Sequence, residues 1–406
     1  MISWSGRRRS LTVLAFIGPT LLGILIFNIY PILFNTYISF TNRNQFHPNP
    51  DCSIGLTKVF EPTCWGIFKK STSVGMATPY RLKDPLWTNY TDLMGDLFTP
   101  PVMIAFLELL ACFVPLVIAG QVNKGLAKQI DPPVAPWLVT TASILLGIIM
   151  AYVLKVPAGL DLIMRSGDFF VVTFRTVLYV VVCIPLFFTV GLSLALLLNI
   201  PRLPGRAFFR VALIVPWAAS TVAIMMSLVW KFFFQQKGTI NQLLGIFGIK
   251  EQIWLDNPTM AFLVIVLANV WYTYPFFMVT ILGALQSVPA ELYEAAEMDG
   301  ANYWQKLTRI TLPLLRVAVV PVIVLSSIST FQMFGTVWAI TAGGPSRGAG
   351  TPGATELVMI YAYKQVFQTN AFGPMGAFAV IMFILLFSAT LYSLRISRIT
   401  KGAYEA

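Results

Sequence analysis

The sequence predicts an all-α polytopic membrane protein with about eight transmembrane helices. Composition is the first reason. Of 406 residues, 57% are apolar and only 11% charged, against roughly 45–50% and about 25% in a soluble globular domain. Disordered chains are polar and charge-rich, so disorder is excluded by the same figures. Aromatic residues make up 14% of the chain, which suits the interfacial belts of membrane proteins. The third reason is segment length, since a helix needs roughly 20 apolar residues to cross hydrocarbon. Uncharged stretches of that size cover residues 11–42, 132–154, 176–201, 211–230, 257–290, 317–346 and 365–394, and an eighth, 101–123, is interrupted only by Glu108.

The first stretch is too long for a cleavable signal peptide and is expected to be an anchor. Orientation follows from the positive-inside rule. With the N-terminus in the cytoplasm, the short inside segments hold Arg7, Arg8, Arg9, Lys124, Lys128, Arg202, Arg206, Arg210, Lys306, Arg309, Arg316, Arg395, Arg398 and Lys401. Both termini are thus expected to be cytoplasmic, in a multi-pass plasma-membrane protein. The net charge of +11 is then a matter of topology, and no nucleic-acid partner is expected. The partner of the apolar surface is membrane lipid.

Chemistry-bearing residues are few. The single histidine, His47, leaves almost no material for a histidine-built metal site or a catalytic triad, so no metal site and no catalytic residue are expected. Cys112 and Cys183 sit in apolar runs and read as small buried residues. Cys52 and Cys64 lie in a polar stretch, where a disulfide is expected if that stretch faces an oxidising compartment. Glu108 is the one carboxylate well inside an expected span. Such a group is a functional candidate by default, but alone on a featureless helix it reads as structural or interfacial.

The segment from Val288 to Pro313 carries the most information. Pro289 is placed to open a helix, and Glu291 and Glu294 fall in its first turns, where the helix dipole favours negative charge. Leu292, Ala295, Ala296 and Met298 can share a slim face, and Asp299–Gly300 ends the helix. Tyr303 to Leu312 form a second amphipathic segment, and Pro313 is expected to let the chain turn into the next span. Two readings of this pair stay open on physical grounds: a helix–turn–helix lying on lipid headgroups, or a surface whose small alanines admit another protein.

Glu294–Ala–Ala–Glu–Met–Asp–Gly300 followed by Ile310–Thr–Leu–Pro313 closely resembles the EAA motif of ABC-importer permeases. Thr341–Ala–Gly–Gly–Pro345 resembles the Thr-x-Gly-Gly-Pro loop of F-type carbohydrate permeases. Tyr30–Pro31 and Ser39–Phe40–Thr41 are similar to that family's first core helix and its exit. Leu285–Gln–Ser–Val–Pro289 before Glu291–Leu–Tyr is similar to maltose/maltodextrin permeases. The resemblance covers residues 11–46 and roughly 168 to the C-terminus. Between Trp87–Thr–Asn–Tyr90 and Arg175–Thr176, each of which matches one half of a family segment, stand two additional hydrophobic stretches. The resemblance therefore implies a six-helix permease core plus an inserted helical hairpin. Residues 1–46 would form the cytoplasmic N-terminus and first core helix, 47–100 an extracytoplasmic loop, and 101–157 the inserted hairpin. Residues 168–396 would form the core with its coupling loop at 288–313, and 397–406 a cytoplasmic tail.

The sequence contains no Gly-x-x-x-x-Gly-Lys-Ser/Thr phosphate loop. The resemblance implies that this chain is non-catalytic and carries no cofactor, with ATP and magnesium bound by two partner ATPase subunits. It further implies a second, G-type permease and an extracytoplasmic sugar-binding protein. Glu294, Ala295, Ala296, Asp299, Gly300, Ile310, Leu312 and Pro313 would form the ATPase-coupling loop. A sugar offers hydroxyls and apolar ring faces, so its pocket should mix aromatic and small polar side chains. Trp217, Ser220 and Thr221 follow Pro216 in one span, and Tyr272, Thr273 and Phe276 flank Pro275 in another. Ser326, Ser329, Thr330 and Met333 recur at helical spacing on a third. In the maltose-permease pattern these positions look toward a mid-membrane sugar site, although Thr273 replaces a glycine and Ser329 an aromatic residue. Trehalose, other oligosaccharides and glycerol-phosphate-like cargo are alternatives to maltose. An ion-coupled transporter would need more ionisable groups within the spans, and a membrane enzyme a cluster of polar catalytic residues; the sequence offers neither.

Overall fold

The structure is a computed structural model that describes residues 7–70, 77–95, 99–126, 136–165, 167–200, 202–218, 223–348 and 350–401. Among these residues it is helical, without a named strand. The helices are α1 (Arg7–Ile24), α2 (Tyr30–Ile38), α3 (Thr88–Met94), α4 (Pro100–Ala111), α5 (Val114–Leu126), α6 (Pro136–Val153), α7 (Val156–Arg165), α8 (Asp168–Asn199), α9 (Arg206–Ala218), α10 (Ala223–Phe233), α11 (Thr239–Ile246), α12 (Pro258–Gln286), α13 (Ala290–Met298), α14 (Tyr303–Lys306), α15 (Leu312–Phe331), α16 (Gly335–Thr341), α17 (Val358–Phe367) and α18 (Phe372–Lys401).

Among the described residues, six segments are long and apolar enough to cross a membrane: Thr12–Ile38, Pro100–Asn123, Asp168–Asn199, Pro258–Gln286, Tyr303–Phe331 and Phe372–Leu391. Two of the eight expected stretches are not among these six. The stretch over 132–154 becomes α6, which bends by 66° into α7, with Lys155 at φ 51° in the break. The stretch over 211–230 takes in parts of α9 and α10, and its residues 219–222 lie outside the described ones. Within residues 101–157 α5 packs against α6, and Asn123 Nδ2 donates to Thr140 Oγ1 at 3.0 Å.

Proline shapes two of the spans in one way. A π-helical turn, Leu25–Ile29, joins α1 to α2 just before Pro31, and a second, Leu307–Thr311, joins α14 to α15 just before Pro313. Proline lacks the N–H for a helical bond and its ring presses on the carbonyl four residues earlier. A wider turn ahead of it relieves that pressure. Pro313 therefore does not turn the chain. The helix continues through it, so Tyr303–Phe331 is one span of 29 residues, contrary to the expected break.

The chain divides into two units. The first comprises Met1–Pro100 and Ala362–Leu385. In it, Cys52 and Cys64 are joined in a disulfide with their Cα atoms 5.5 Å apart. Asn89 is fully buried, and its Nδ2 donates to Ser39 O at 2.7 Å and Thr41 O at 2.8 Å, tying α3 to the end of α2. The Tyr80 hydroxyl donates to Glu61 Oε1. Burial raises the Glu61 carboxyl above its ordinary range, against the opposing pull of that hydrogen bond and of Arg43.

The second unit comprises Pro101–Tyr361 and Leu386–Ala406. Its centre is the pairing of α8 with α12. The Tyr179 hydroxyl donates to Ile265 O at 3.3 Å, Asn269 Nδ2 to Cys183 Sγ at 3.8 Å, and Gly191 lies against Phe277. The two hydrogen bonds join residues 86 positions apart, so the helices run parallel with both N-termini at one end. At Gly191 they nearly touch: an added Cβ would stand 2.6 Å from Phe277 Cβ and 3.0 Å from Met278 N. Tyr179, Cys183 and Phe187 of α8, with Val264, Ile265 and Phe277 of α12, are fully buried there. The helix α15 packs on both.

Gly191→Ala should therefore force α8 and α12 apart and lower stability by roughly 1–3 kcal/mol, the usual cost of overpacking. Gly283, also in α12, has open space where a Cβ would go, and Gly283→Ala should be neutral or stabilising. Thermal unfolding of the purified chain in detergent compares the two. Equal midpoints for both variants would mean that the Gly191 contact does not hold the pair together.

Candidate functional site

The middle third of α12 presents one stripe of side chains, Asn269, Tyr272, Thr273 and Phe276, at i, i+3, i+4 and i+7. Facing it on α15 are Leu325, Ser326, Ser329 and Thr330, followed by Met333, and Trp217 closes the side from α9. Together with Thr336 of α16 they line a cavity of about 610 Å³. Eight of the ten residues expected to form the pocket thus share one cavity: Trp217, Tyr272, Thr273, Phe276, Ser326, Ser329, Thr330 and Met333. Ser220 and Thr221 lie outside the described residues.

The cavity has an aromatic wall and a polar wall. The Trp217 and Phe276 rings stack with centroids 6.2 Å apart and planes 20° from parallel, and Trp217 is 46% exposed. The polar side is organised from behind. Thr273 Oγ1 donates to Asn269 Oδ1 at 3.3 Å, while Asn269 Nδ2 points away to Cys183 on α8. Tyr272 and Ser227 of α10 have their hydroxyls 3.4 Å apart. Tyr274, on the opposite side of α12, donates to Leu213 O at 3.1 Å, which fixes α9 and hence Trp217. Ser326 and Thr330 are buried against α12. Such a wall can exchange hydrogen bonds with hydroxyls while the rings cover apolar faces.

Sequence reasoning missed Asn269, Leu325 and Thr336. Asn269 left a signal: it is a lone amide within an apolar helix, one turn before Tyr272 and Thr273, and a polar group at that depth asks for a reason. Thr336 left none, because its place depends on how α16 folds back after α15.

The second expected site is α13 together with the segment that leads into α15. The helix has no buried residue, and most of its surface is exposed. Glu294, Ala295, Asp299 and Gly300 are exposed and Ala296 is half-buried. Leu292 and Met298, expected to share a slim face with the alanines, are 43% and 89% exposed. The helix ends in a Schellman turn: Ala301 N donates to Ala296 O at 2.8 Å and Gly300 N to Glu297 O at 3.0 Å. Gly300 sits at φ +78° with nothing near its absent Cβ, so glycine is needed there for conformation rather than for space. Asn302 and Gln305 then form a capping box that starts α14.

Two contacts fasten α13 to the next span. The Tyr293 hydroxyl lies 3.1 Å from Thr311 Oγ1, and Lys306 Nζ lies 2.6 Å from Glu297 Oε1. Exposed ion pairs contribute little, so the half-buried Tyr293–Thr311 contact is the firmer tie. Ile310 and Leu312 are half-buried beside Thr311, and Pro313 is exposed. Because α13 follows α12 after three residues and is tied to the start of α15, it joins the two helices that line most of the cavity.

The Thr341–Pro345 loop has a structural task. Arg175 Nη1 donates to Gly353 O and, at 3.2 Å, to Glu356 O. Val358 N donates to Thr176 Oγ1 at 2.9 Å, and Thr355 Oγ1 to Gly344 O at 2.6 Å. Arg175–Thr176 thus anchors the buried segment from Gly353 to Val358 to α8, and Thr355 ties the Thr341–Pro345 loop to that segment. Among the described residues there is no cluster of three His, Cys, Asp or Glu side chains able to hold a metal ion.

Comparison with known proteins identifies relatives of this chain. Residues 143–398 match the family described as binding-protein-dependent transport system inner membrane component. The trehalose/maltose transport system permease protein MalF of Thermococcus litoralis is 33% identical over 240 residues, covering 59% of this chain and 78% of that protein. The maltose/maltodextrin transport system permease protein MalF of Klebsiella aerogenes is 36% identical over 237 residues, 57% of this chain and 46% of that protein; the chain thus spans less than half the length of that relative. A solved chain of a bacterial ABC transporter involved in the import of the acidic polysaccharide alginate aligns with a TM-score of 0.48 and 21% identity, covering 58% of this chain and 81% of that one. The matched region takes in α8, α12, α15, the cavity between them and the exposed helix α13, and the chain belongs to the family of inner membrane components of binding-protein-dependent transport systems.

Proposed function

We propose that the chain is the permease of an ABC importer that moves an α-linked glucose oligosaccharide, maltose, maltodextrin or trehalose, into the cytoplasm. The observation that carries the reading is the cavity of about 610 Å³ with a ring-lined wall facing a hydroxyl-lined wall. The names of the MalF relatives, at 33% and 36% identity, support the sugar class. In this reading both termini are cytoplasmic, and an extracytoplasmic binding protein delivers the sugar. A second, G-type permease completes the path, and two ATPase subunits hold ATP and magnesium. This chain then contributes no catalytic group. Its tasks are to hold the sugar and to transmit movement.

The transmission follows from the connections of α13. An ATPase that grips this slim helix pulls on α12 through Ser287–Pro289 and on α15 through Tyr293 and Thr311. Those two helices form opposite sides of the cavity, so displacing α13 changes its opening. This is rigid-body alternating access about a fixed mid-membrane site.

Two experiments separate pocket from coupling. Trp217→Ala and Thr273→Val should each weaken sugar uptake by about tenfold, equivalent to roughly 1.4 kcal/mol, through the apparent affinity. Neither should alter ATPase co-purification. Unchanged uptake in both variants would remove the cavity from the transport path.

Ala296→Asp places charge on the face meant to enter another protein. It should reduce ATPase association by about tenfold to a hundredfold while leaving membrane insertion intact. Co-purification and sugar-stimulated ATP hydrolysis at the unsubstituted level would reduce α13 to an interfacial helix.

A further inference from the structure

A second cavity, of about 230 Å³, lies at the other end of the α8–α12 pair from α13. Phe174 and Leu178 of α8 and Phe262 of α12 form its apolar lining. Thr259, in the first turn of α12, and two arginines, Arg175 and Arg347, form its polar part. Phe174 and Leu178 are each more than 40% exposed, so the apolar part opens to the outside of the helix pair. The two guanidinium groups are close enough to act on each other electrostatically, and they are the only charged groups that line the cavity among the described residues.

Arg175 is 7% exposed. Its Nη1 holds the loop at Gly353 and Glu356, but its Nη2 is buried with no hydrogen-bond partner. An unpaired buried charged donor is costly. Two carboxylates stand nearby, but neither lines the cavity: Glu356 accepts from Gly353 N at 3.1 Å, and Asp168 sits at the start of α8. Arg347 forms no ion pair among the described residues. The first turn of a 29-residue helix adds positive potential at Thr259.

Position selects the ligand. Both helices begin at this end, and Arg175 lies seven residues into α8, about 10 Å along it. A 32-residue helix is about 48 Å long, so a hydrocarbon core of about 30 Å centred on α8 begins near that depth. An anion bound there has its charge at the guanidinium level and an open apolar groove of Phe174, Leu178 and Phe262 below. We infer that this cavity is a binding site for an anionic phospholipid, with the phosphodiester at Arg347 and Arg175 and an acyl chain along the groove. The planar, always-charged fork of arginine matches the geometry of a phosphodiester. The site is separate from the transport cavity and needs no particular solute.

The test uses the assembled transporter, purified from membranes and exchanged into nanodiscs of phosphatidylcholine with a minor share of phosphatidylglycerol. Native mass spectrometry reads the lipid retained. The unsubstituted protein and Arg347→Lys should retain phosphatidylglycerol over phosphatidylcholine, and Arg347→Glu should reduce that retention by about tenfold or more. Inorganic phosphate should not displace the lipid. Equal retention of the two lipids by the unsubstituted protein would overturn the inference. So would equal phosphatidylglycerol retention in all three proteins, and displacement by phosphate would assign a free-anion site instead. If Arg347→Glu fails to assemble, the lipid preference of the other two proteins decides the matter.

Discussion

Two helices of the second unit lie so close at one point that a single methyl group would not fit between them. At Gly191 the backbone of α8 presses on Phe277 and Met278 of α12, and fully buried side chains line the pair in both directions from the contact. In hydrocarbon, burying apolar groups gives no hydrophobic gain, so association relies on close packing and on a few internal hydrogen bonds. The Gly191 contact supplies the first, and Tyr179–Ile265 with Asn269–Cys183 the second. Once α12 is seated against α8, its remaining faces are assigned. Tyr274 takes α9, and the stripe from Asn269 to Phe276 is left facing α15 across a cavity.

Under the proposed function, the same seating links the cavity to the distant exposed helix. Asn269 has one end in the packed interface and the other on Thr273, so the polar wall of the cavity is referenced to α8. At the far end α12 passes into α13, which is closed by a Schellman turn and tied to α15 at Thr311. The π-turn before Pro313 keeps α14 and α15 in one rod, so a displacement at α13 is carried along α15 instead of being absorbed at a hinge. Arg175–Thr176 fixes the opposite end by holding the loop from Gly343 to Val358.

Much of this was legible in the sequence because it is written in local periodicities. Apolar run lengths gave the spans, and the i, i+3, i+4, i+7 spacing of Ser326 to Met333 put those residues on one helix face. Asp299–Gly300 marked the stop of the first helix in the 288–313 segment. The features that stayed hidden depend on contacts far apart in the chain or on backbone adjustments with no residue code. The partner of Arg175 lies 178 positions away. The bend between α6 and α7 occurs at Lys155, which has no evident reason in sequence to adopt φ 51°. Pro313 read as a turn because proline usually ends a helix, and only the wider π-turn before it makes continuation possible.

The central claim is that this chain moves sugar only as part of an ATP-driven assembly, with α13 as its point of attachment. The direct measurement is uptake of labelled maltose and trehalose into proteoliposomes. One set holds the chain alone with an imposed proton gradient. The other holds the chain with the second permease, both ATPase subunits, the binding protein, and ATP on the ATPase side. Uptake in the complete system only, abolished when ATP is omitted, is the predicted result. Gradient-driven uptake by the chain alone would contradict the account.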